Sequence, residues 1–307
     1  MSEATVVVVS WNGRHLLPAC LDALLPQRPA AVWVVDNGSV DGTADWLATA
    51  YPSVRVLRSP TNLGFAGGNN LALREVATEF AVLLNNDAVP RPGWLAALLA
   101  GFDAPEVAAV ASKVLLPDGT INSIGGRVDR DGYGHDIGLR ATDDGSYDVA
   151  ADVLVAPGTA CALRTAALHD VGGFDDDYFL YYEDVDLCWR LRLAGWRVRT
   201  APAAVVDHLH SATTGTVSDL HAFHDTRNRL LTLTKDATAG LALREVLRFP
   251  LTTASIAVHE DRHRARVRMR AYASYLRLLP RTLRKRRRIG ATAKVSRADV
   301  QRLVGRV

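Results

Sequence analysis

TVVVVS at Thr5 to Ser10, the helical pattern Leu16 to Leu25, and AVWVVD at Ala31 to Asp36 make up the stretch that decides the fold. Near-continuous β-branched runs suit strands buried on both faces, as in a parallel sheet covered by helices. The alternation continues with strand-like runs at Val54 to Arg58, Phe80 to Asn85 and Val107 to Ser112. Helical patterns fall between them at Thr43 to Tyr51, Asn70 to Ala77 and Trp94 to Phe102. This spacing predicts a doubly wound, Rossmann-like α/β fold, with a mostly parallel central sheet and helices on both faces.

Working outward, ligands in such sheets bind at the carboxyl ends of the strands, and those ends are polar in this chain. The first run ends in Ser10-Trp11-Asn12-Gly13, the second in Asp36-Asn37-Gly38-Ser39, the fourth in Asn85-Asn86-Asp87. Asn62 to Asn70, with Gly64, Gly67 and Gly68, reads as a glycine-rich loop ahead of the third helix. Pro117 to about Asp152, rich in Gly and Asp, reads as a hairpin or mobile excursion outside the core. Regular patterns resume with a strand at Gly158 to Arg164, a short helix at Thr165 to Val171 and an amphipathic helix at Asp184 to Ala194.

With 48% hydrophobic and 22% charged residues in 307, disordered and collagen-like chains are excluded. Cys20, Cys161 and Cys188 lie far apart with no CxxC pair, which argues against a disulfide scaffold or cysteine zinc site and for a reducing compartment. No run of about 18 apolar residues occurs, and Met1 leads into a strand with no basic n-region, so neither a membrane span nor a secreted precursor is expected. Charge is unevenly spread: residues 1–243 carry net −11 and residues 244–307 net +14.

Several residues could carry chemistry. Asp87, beside Asn85 and Asn86, could present oxygen ligands to Mg2+ or Mn2+ holding a diphosphate, or serve as a turn and N-cap residue. Asp36 could accept from a base edge or ribose hydroxyl, or form an Asx turn. The glycine segment could bring backbone N–H groups to an anion, but matches neither GxGxxG nor GxxxxGK[ST]. Glu183 and Asp184 follow an aromatic run into a helix, where an apolar surround could raise a carboxylate toward general-base duty, or where they simply favour the helix N-terminus. Asp186 takes the latter reading. His208 and His210 share one face of an alternating segment and could bind metal or acceptor.

Taken in order, VVVVSWN, VVDNGSVDGT, NLGFAGGNN, LLNNDAVPRPGWL and GTACALRTAALHDVGGFDDDYFLYYEDVDLCWRLRLAGW, with the following His, resemble the inverting family-2 glycosyltransferases of GT-A fold, most of all the bacterial rhamnosyltransferase branch. The resemblance spans residues 4–235. It implies that Trp11 stacks on the base of a nucleotide-sugar donor and Asp36 accepts from it, with Ser10, Gly67, Asn69 and Asn86 lining the donor site. Asn85-Asn86-Asp87 stands at the DXD position, with Asn85 replacing the first Asp, so one formal charge is lost from the metal site. Asp87 and His208 would hold the divalent metal. Asp184 matches the catalytic base of the Glu-Asp motif, with Glu183 beside it. Gly173-Phe174-Asp175 is expected in the acceptor-site wall.

The implied function is transfer of a sugar, L-rhamnose from dTDP-rhamnose foremost, to a lipid-linked or polysaccharide acceptor. A UDP- or GDP-sugar donor and a non-catalytic nucleotide-sugar-binding module are the alternatives. A sugar-nucleotide pyrophosphorylase should carry GxGxR after the first strand, which Ser10 to Arg14 does not. Residues 1–238 are expected to form the catalytic domain and 239–307 a basic helical extension. In that extension Tyr272, Tyr275, Leu276 and Leu279 share one face and Arg266, Arg270, Arg277, Arg281, Arg284 and Arg288 another, with a kink at Pro280. Such an Arg-rich amphipathic segment suits an anionic membrane surface on the cytoplasmic side; no nucleic-acid partner is expected, and a homo-oligomer stays open.

Overall fold

A computed structural model describes residues 3–209 and 218–305. The first half runs β1 (Ala4–Ser10), α1 (Leu17–Leu24), β2 (Ala31–Asn37), α2 (Thr43–Ala50), β3 (Arg55–Ser59), α3 (Gly64–Leu73), β4 (Phe80–Leu84), β5 (Ala88–Pro90), α4 (Trp94–Ala100) and β6 (Val107–Leu115). Short strands β7 (Ile121–Ser123), β8 (Gly126–Val128) and β9 (Gly134–Asp136) follow, then β10 (Ala160–Arg164), α5 (Thr165–Val171), α6 (Glu183–Leu193) and β11 (Arg197–His208). Four helices close the chain: α7 (Asp219–Asp236), α8 (Ala239–His259), α9 (Arg262–Thr292) and α10 (Arg297–Gln301).

The main sheet has the order β3-β2-β1-β4-β10-β6-β11-β5. The block β3-β2-β1-β4 is parallel as expected, but β10 runs antiparallel to both β4 and β6, so the sheet as a whole is mixed. The reversal arises because β10 enters after the β7–β9 excursion rather than after a crossover helix. Alternation along β1 divides the core into two layers. Val7 packs under α3 and α6, whereas Val6 and Val8 face α1 and α4.

Two expectations are corrected. The glycine segment is not a loop ahead of the third helix but its first two turns. Gly64 opens it at φ +72°, and a Cβ on Gly68 would meet Val9 Cγ1 at 2.8 Å, so the glycine lets the helix lie close on the sheet. The excursion after Pro117 is partly core: Ile121, Ile124 and Val128 are buried, and β7 pairs with β6.

The basic extension folds back. The Tyr275 hydroxyl shares a hydrogen bond of 2.8 Å with that of Thr234 on α7, and Tyr272 stacks on Phe249 of α8. α9 continues helically through Pro280, and α8 through Pro250. Among the described residues, no helix is long and apolar enough to cross a membrane.

Candidate active site

Because β1, β2 and β4 are parallel, their polar carboxyl ends share one rim. Asn86 Nδ2 donates to the Ser10 hydroxyl at 3.0 Å, tying the fourth loop to the first, and Ser10 is buried beneath that bond. Asp36 Oδ1 accepts from Ser39 N at 3.0 Å, so the Asx turn is real and uses one of its two oxygens. Trp11 projects with 56% of its surface exposed, an open platform for a planar ring. Asn69 and Gly67 sit on α3, whose start meets the carboxyl end of β2, where Asn37 Nδ2 donates to Gly64 O at 3.0 Å. Asn69 is buried with its amide donating to Phe65 O at 3.0 Å, and Gly67 abuts the Leu63 side chain.

β5 pairs antiparallel with the end of β11, setting Ala88 opposite His208. That register brings Asp87 Oδ1 within 3.1 Å of His208 Nε2, while His208 Nδ1 lies 2.9 Å from Asn122 Oδ1. Asp87 and His208 thus face each other as two side chains that could share a divalent cation. Among the described residues no group of three or more His, Cys, Asp or Glu assembles for a metal. His210 lies outside the described residues.

The Glu183–Asp184 pair opens α6. Asp184 Oδ1 accepts from Val185 N at 2.7 Å and Oδ2 from Gly158 N at 3.2 Å. Burial raises its carboxyl above the ordinary value, and those two N–H groups hold the rise in check. Glu183 is raised much further, by burial and then by the charge of Asp184, and its Oε2 has no hydrogen-bond partner among the described residues. Of the two, Glu183 is pushed further toward its neutral form, while the N–H groups favour the charge of Asp184. Asp136, at the end of β9, touches solvent but is backed by protein, and this burial pushes its carboxyl up to about 6. After burial and the Ser123 hydroxyl, the charges of Asp184 and His208 also act on it.

The turn presenting the pair is strained: Tyr181 and Tyr182 both adopt positive φ, 68° and 67°. Such a conformation costs about 1–3 kcal/mol per residue. Asn228, fully buried on α7, offsets it by donating to Leu180 O at 2.9 Å and Tyr181 O at 2.7 Å. Tyr182 OH accepts from Gly134 N and donates to Gly132 O. Asn228, Asp136 and Asn122 escape a reading of the sequence. The run Arg227-Asn228-Arg229, buried inside a leucine-bearing helix, is the one local signal that could have revealed the first.

Asp186 is not a surface capping residue. It is wholly buried, bonded to Arg190 (2.8 Å) and Lys235. Asp175 pairs with Lys235 and Lys285 in an internal ion cluster, and Phe174 is buried edge-on against Phe65. A cavity of about 540 Å3 opens at the opposite end of α6 from Asp184, beside His169, Leu193, Ile289 and Lys294.

Over 210 residues the chain is 36% identical to the pre-mycofactocin glycosyltransferase of Mycobacterium tuberculosis, covering 68% of this chain and 43% of that protein. It is 31% identical over 248 residues to the N-acetylglucosaminyl-diphospho-decaprenol L-rhamnosyltransferase of the same species, covering 71% of this chain and 80% of that one. A solved structure, GalNAc-T7 with UDP, GalNAc and Mn2+, superposes with a TM-score of 0.65 at 11% identity, covering 91% of this chain and 57% of that one, a likeness of fold. The GT-A fold expected from the motifs is therefore present, and residues 5–172 match the family description Glycosyl transferase family 2. The chain belongs to glycosyl transferase family 2.

Proposed function

We propose that the chain is an inverting glycosyltransferase moving L-rhamnose from dTDP-rhamnose to a lipid-linked or polysaccharide acceptor in cell-envelope glycan synthesis. The observation that carries the reading is Asp184, a buried carboxylate fixed by two backbone N–H groups beside Glu183, whose own carboxyl burial pushes well above the ordinary value. As the acceptor oxygen attacks the anomeric carbon from the face opposite the nucleotide, its proton passes to Asp184 and the bond from that carbon to the diphosphate oxygen breaks. One displacement inverts the centre, so no covalent nucleophile is needed. Trp11 stacks on the base and Asp36 offers it an acceptor, while Ser10 and Asn86 fix the loop that carries Asp87. Asp87 and His208 would hold Mg2+ or Mn2+, which would neutralise charge on the departing diphosphate.

Choice of rhamnose and of a polyprenyl-linked acceptor rests on likeness to the decaprenol-linked L-rhamnosyltransferase. The chain spans 43% of the pre-mycofactocin relative, whose own activity is not carried over. Residues 1–238 form the catalytic unit in this reading and 239–307 its helical extension, working at the cytoplasmic face of the membrane. Asn85 at the first DXD position favours a second reading, a nucleotide-sugar-binding module with no turnover.

Nucleoside diphosphate release from dTDP-, UDP- and GDP-sugars, with and without Mn2+, tests both. We expect metal-stimulated turnover of dTDP-rhamnose that Asp87→Ala abolishes and His208→Ala reduces. Binding without turnover of any donor would establish the module instead, and metal-independent turnover equal in wild type and Asp87→Ala would remove the cation from that pair.

A further inference from the structure

α8 turns one face to solvent without a single charge. Leu243, Leu247, Leu251 and Val258 are 60%, 63%, 73% and 76% exposed, and Ala254 lies among them. Their spacing puts them on the side opposite Leu241, Glu245, Phe249 and Thr253, which are buried. Soluble proteins seldom leave so continuous an aliphatic stripe uncovered, and no described side chain packs over it.

α9, beside α8, holds no Asp or Glu between Arg262 and Thr292. Five of its basic side chains are engaged by the protein: Arg264 with Glu260, Arg268 with Thr252 and Thr253, Arg281 with Asp177, Lys285 with Asp175 and Asp177, and Arg286 with Thr234 O and Ala237 O. Arg262, Arg266, Arg270, Arg277, Arg284 and Arg287 are exposed and bonded to no described residue. Met269, Leu276 and Leu283, seven residues apart and about half exposed, run along the same helix. Tyr272 and Tyr275, by contrast, turn inward.

We infer that the outer surface of the α8–α9 hairpin docks on an anionic lipid bilayer, with the α8 leucines entering the interface and the α9 arginines lying on the headgroups. Charge complementarity selects this occupant. A second copy docked by the same face would set arginine rows against each other, and a nucleic acid would leave the leucine stripe uncovered. The turn between α8 and α9 meets the start of α7, where His263 bonds Asp219, and two residues on His221 stacks on Tyr181 at 4.2 Å, just ahead of Glu183. A bilayer on this face therefore lies at the edge of the acid-pair cleft, where an acceptor embedded in it could be offered. The inference does not depend on which sugar is transferred.

Co-sedimentation of the full chain with phosphatidylcholine vesicles, with and without phosphatidylglycerol, tests it at low and high salt. Wild type is expected to bind only the anionic vesicles, and to release in high salt. Leu247→Ser/Leu251→Ser and, separately, Arg270→Gln/Arg277→Gln/Arg284→Gln should each weaken binding at least tenfold, with unchanged melting and donor turnover. Wild type that ignores anionic vesicles at low salt overturns the inference. So does vesicle binding insensitive to the leucine changes, which would mark a general polyanion surface. A dimer by sizing that those leucine changes turn into monomer would assign the face to a second copy and overturn it as well.

Discussion

Two acid clusters sit a few residues apart at the start of α6, and their carboxyls shift in opposite directions. At the rim, Glu183 and Asp184 have only each other and backbone N–H groups for company, and both carboxyls titrate high. Within the same turn, Asp186 points inward. Burial pushes it up, but Arg190 and Lys235 outweigh that and hold it ionised. Residue type and helix position are shared, so the difference lies in what the rest of the chain sets opposite each carboxylate. α7 and α9 bring cations to Asp186 and Asp175, and among the described residues none is brought to Glu183.

The largest expected effect comes from stripping the inner cluster of its central cation. Lys235→Met leaves Asp175 and Asp186 short of a buried partner and should cost about 3–5 kcal/mol in urea unfolding. The loss should shrink toward pH 4, where protonation discharges the acids the lysine had balanced. A loss that is equally large at pH 4 and pH 7 would mean packing, not charge, is what Lys235 contributes.

At the rim, Asp184→Asn keeps shape but removes basicity. Transfer should fall at least about a hundredfold while donor affinity, measured by calorimetry, stays as in wild type. Equal transfer would take the base role from Asp184, and lost donor binding would make it structural.

Asn228→Ala should act more mildly, lowering kcat by about tenfold with donor affinity unchanged, because releasing two carbonyls lets the Tyr181–Tyr182 turn relax and moves Asp184 off its line of attack. Asn228→Ser, able to keep one of the bonds, should recover part of the rate. An unchanged kcat in Asn228→Ala would show the turn to be held by Tyr182 alone.

The smallest effect is on pH dependence. Glu183 is raised, so its favourable contribution is full below the ordinary glutamate value and is lost as pH climbs toward the folded value. Glu183→Gln should therefore stabilise the protein at pH 8, with the gain vanishing near pH 4. Denaturation midpoints across that range would test the sign, and a gain that grows on acidification would reverse the assignment of the neutral acid.

This contrast also explains what could be read from the sequence. The strands β1, β2, β4 and β6 were legible because burial on both faces writes itself as unbroken apolar runs, and the polar ends of β1, β2 and β4 followed from their direction. α3 was misplaced because glycine signals a loop by propensity, while Gly68 serves close helix-to-sheet approach. The ion pairs of Asp175 are hidden in the sequence for another reason: its partners Lys235 and Lys285 lie 60 and 110 residues away. Asn122, Asp136 and Asn228 acquire their significance from tertiary neighbours alone, and no local pattern marks a side chain whose partner is set by the fold.

The helix that begins with Glu183 and Asp184 ends at Leu193, whose carbonyl accepts from Lys294 N at 2.8 Å and Val295 N at 3.0 Å. During synthesis, about a hundred further residues must leave the ribosome before that last turn finds its donors, and domains otherwise tend to settle as they emerge. A nascent chain would thus carry every motif of the cleft for several seconds, at roughly 5–20 residues per second, before the helix under the acid pair is finished.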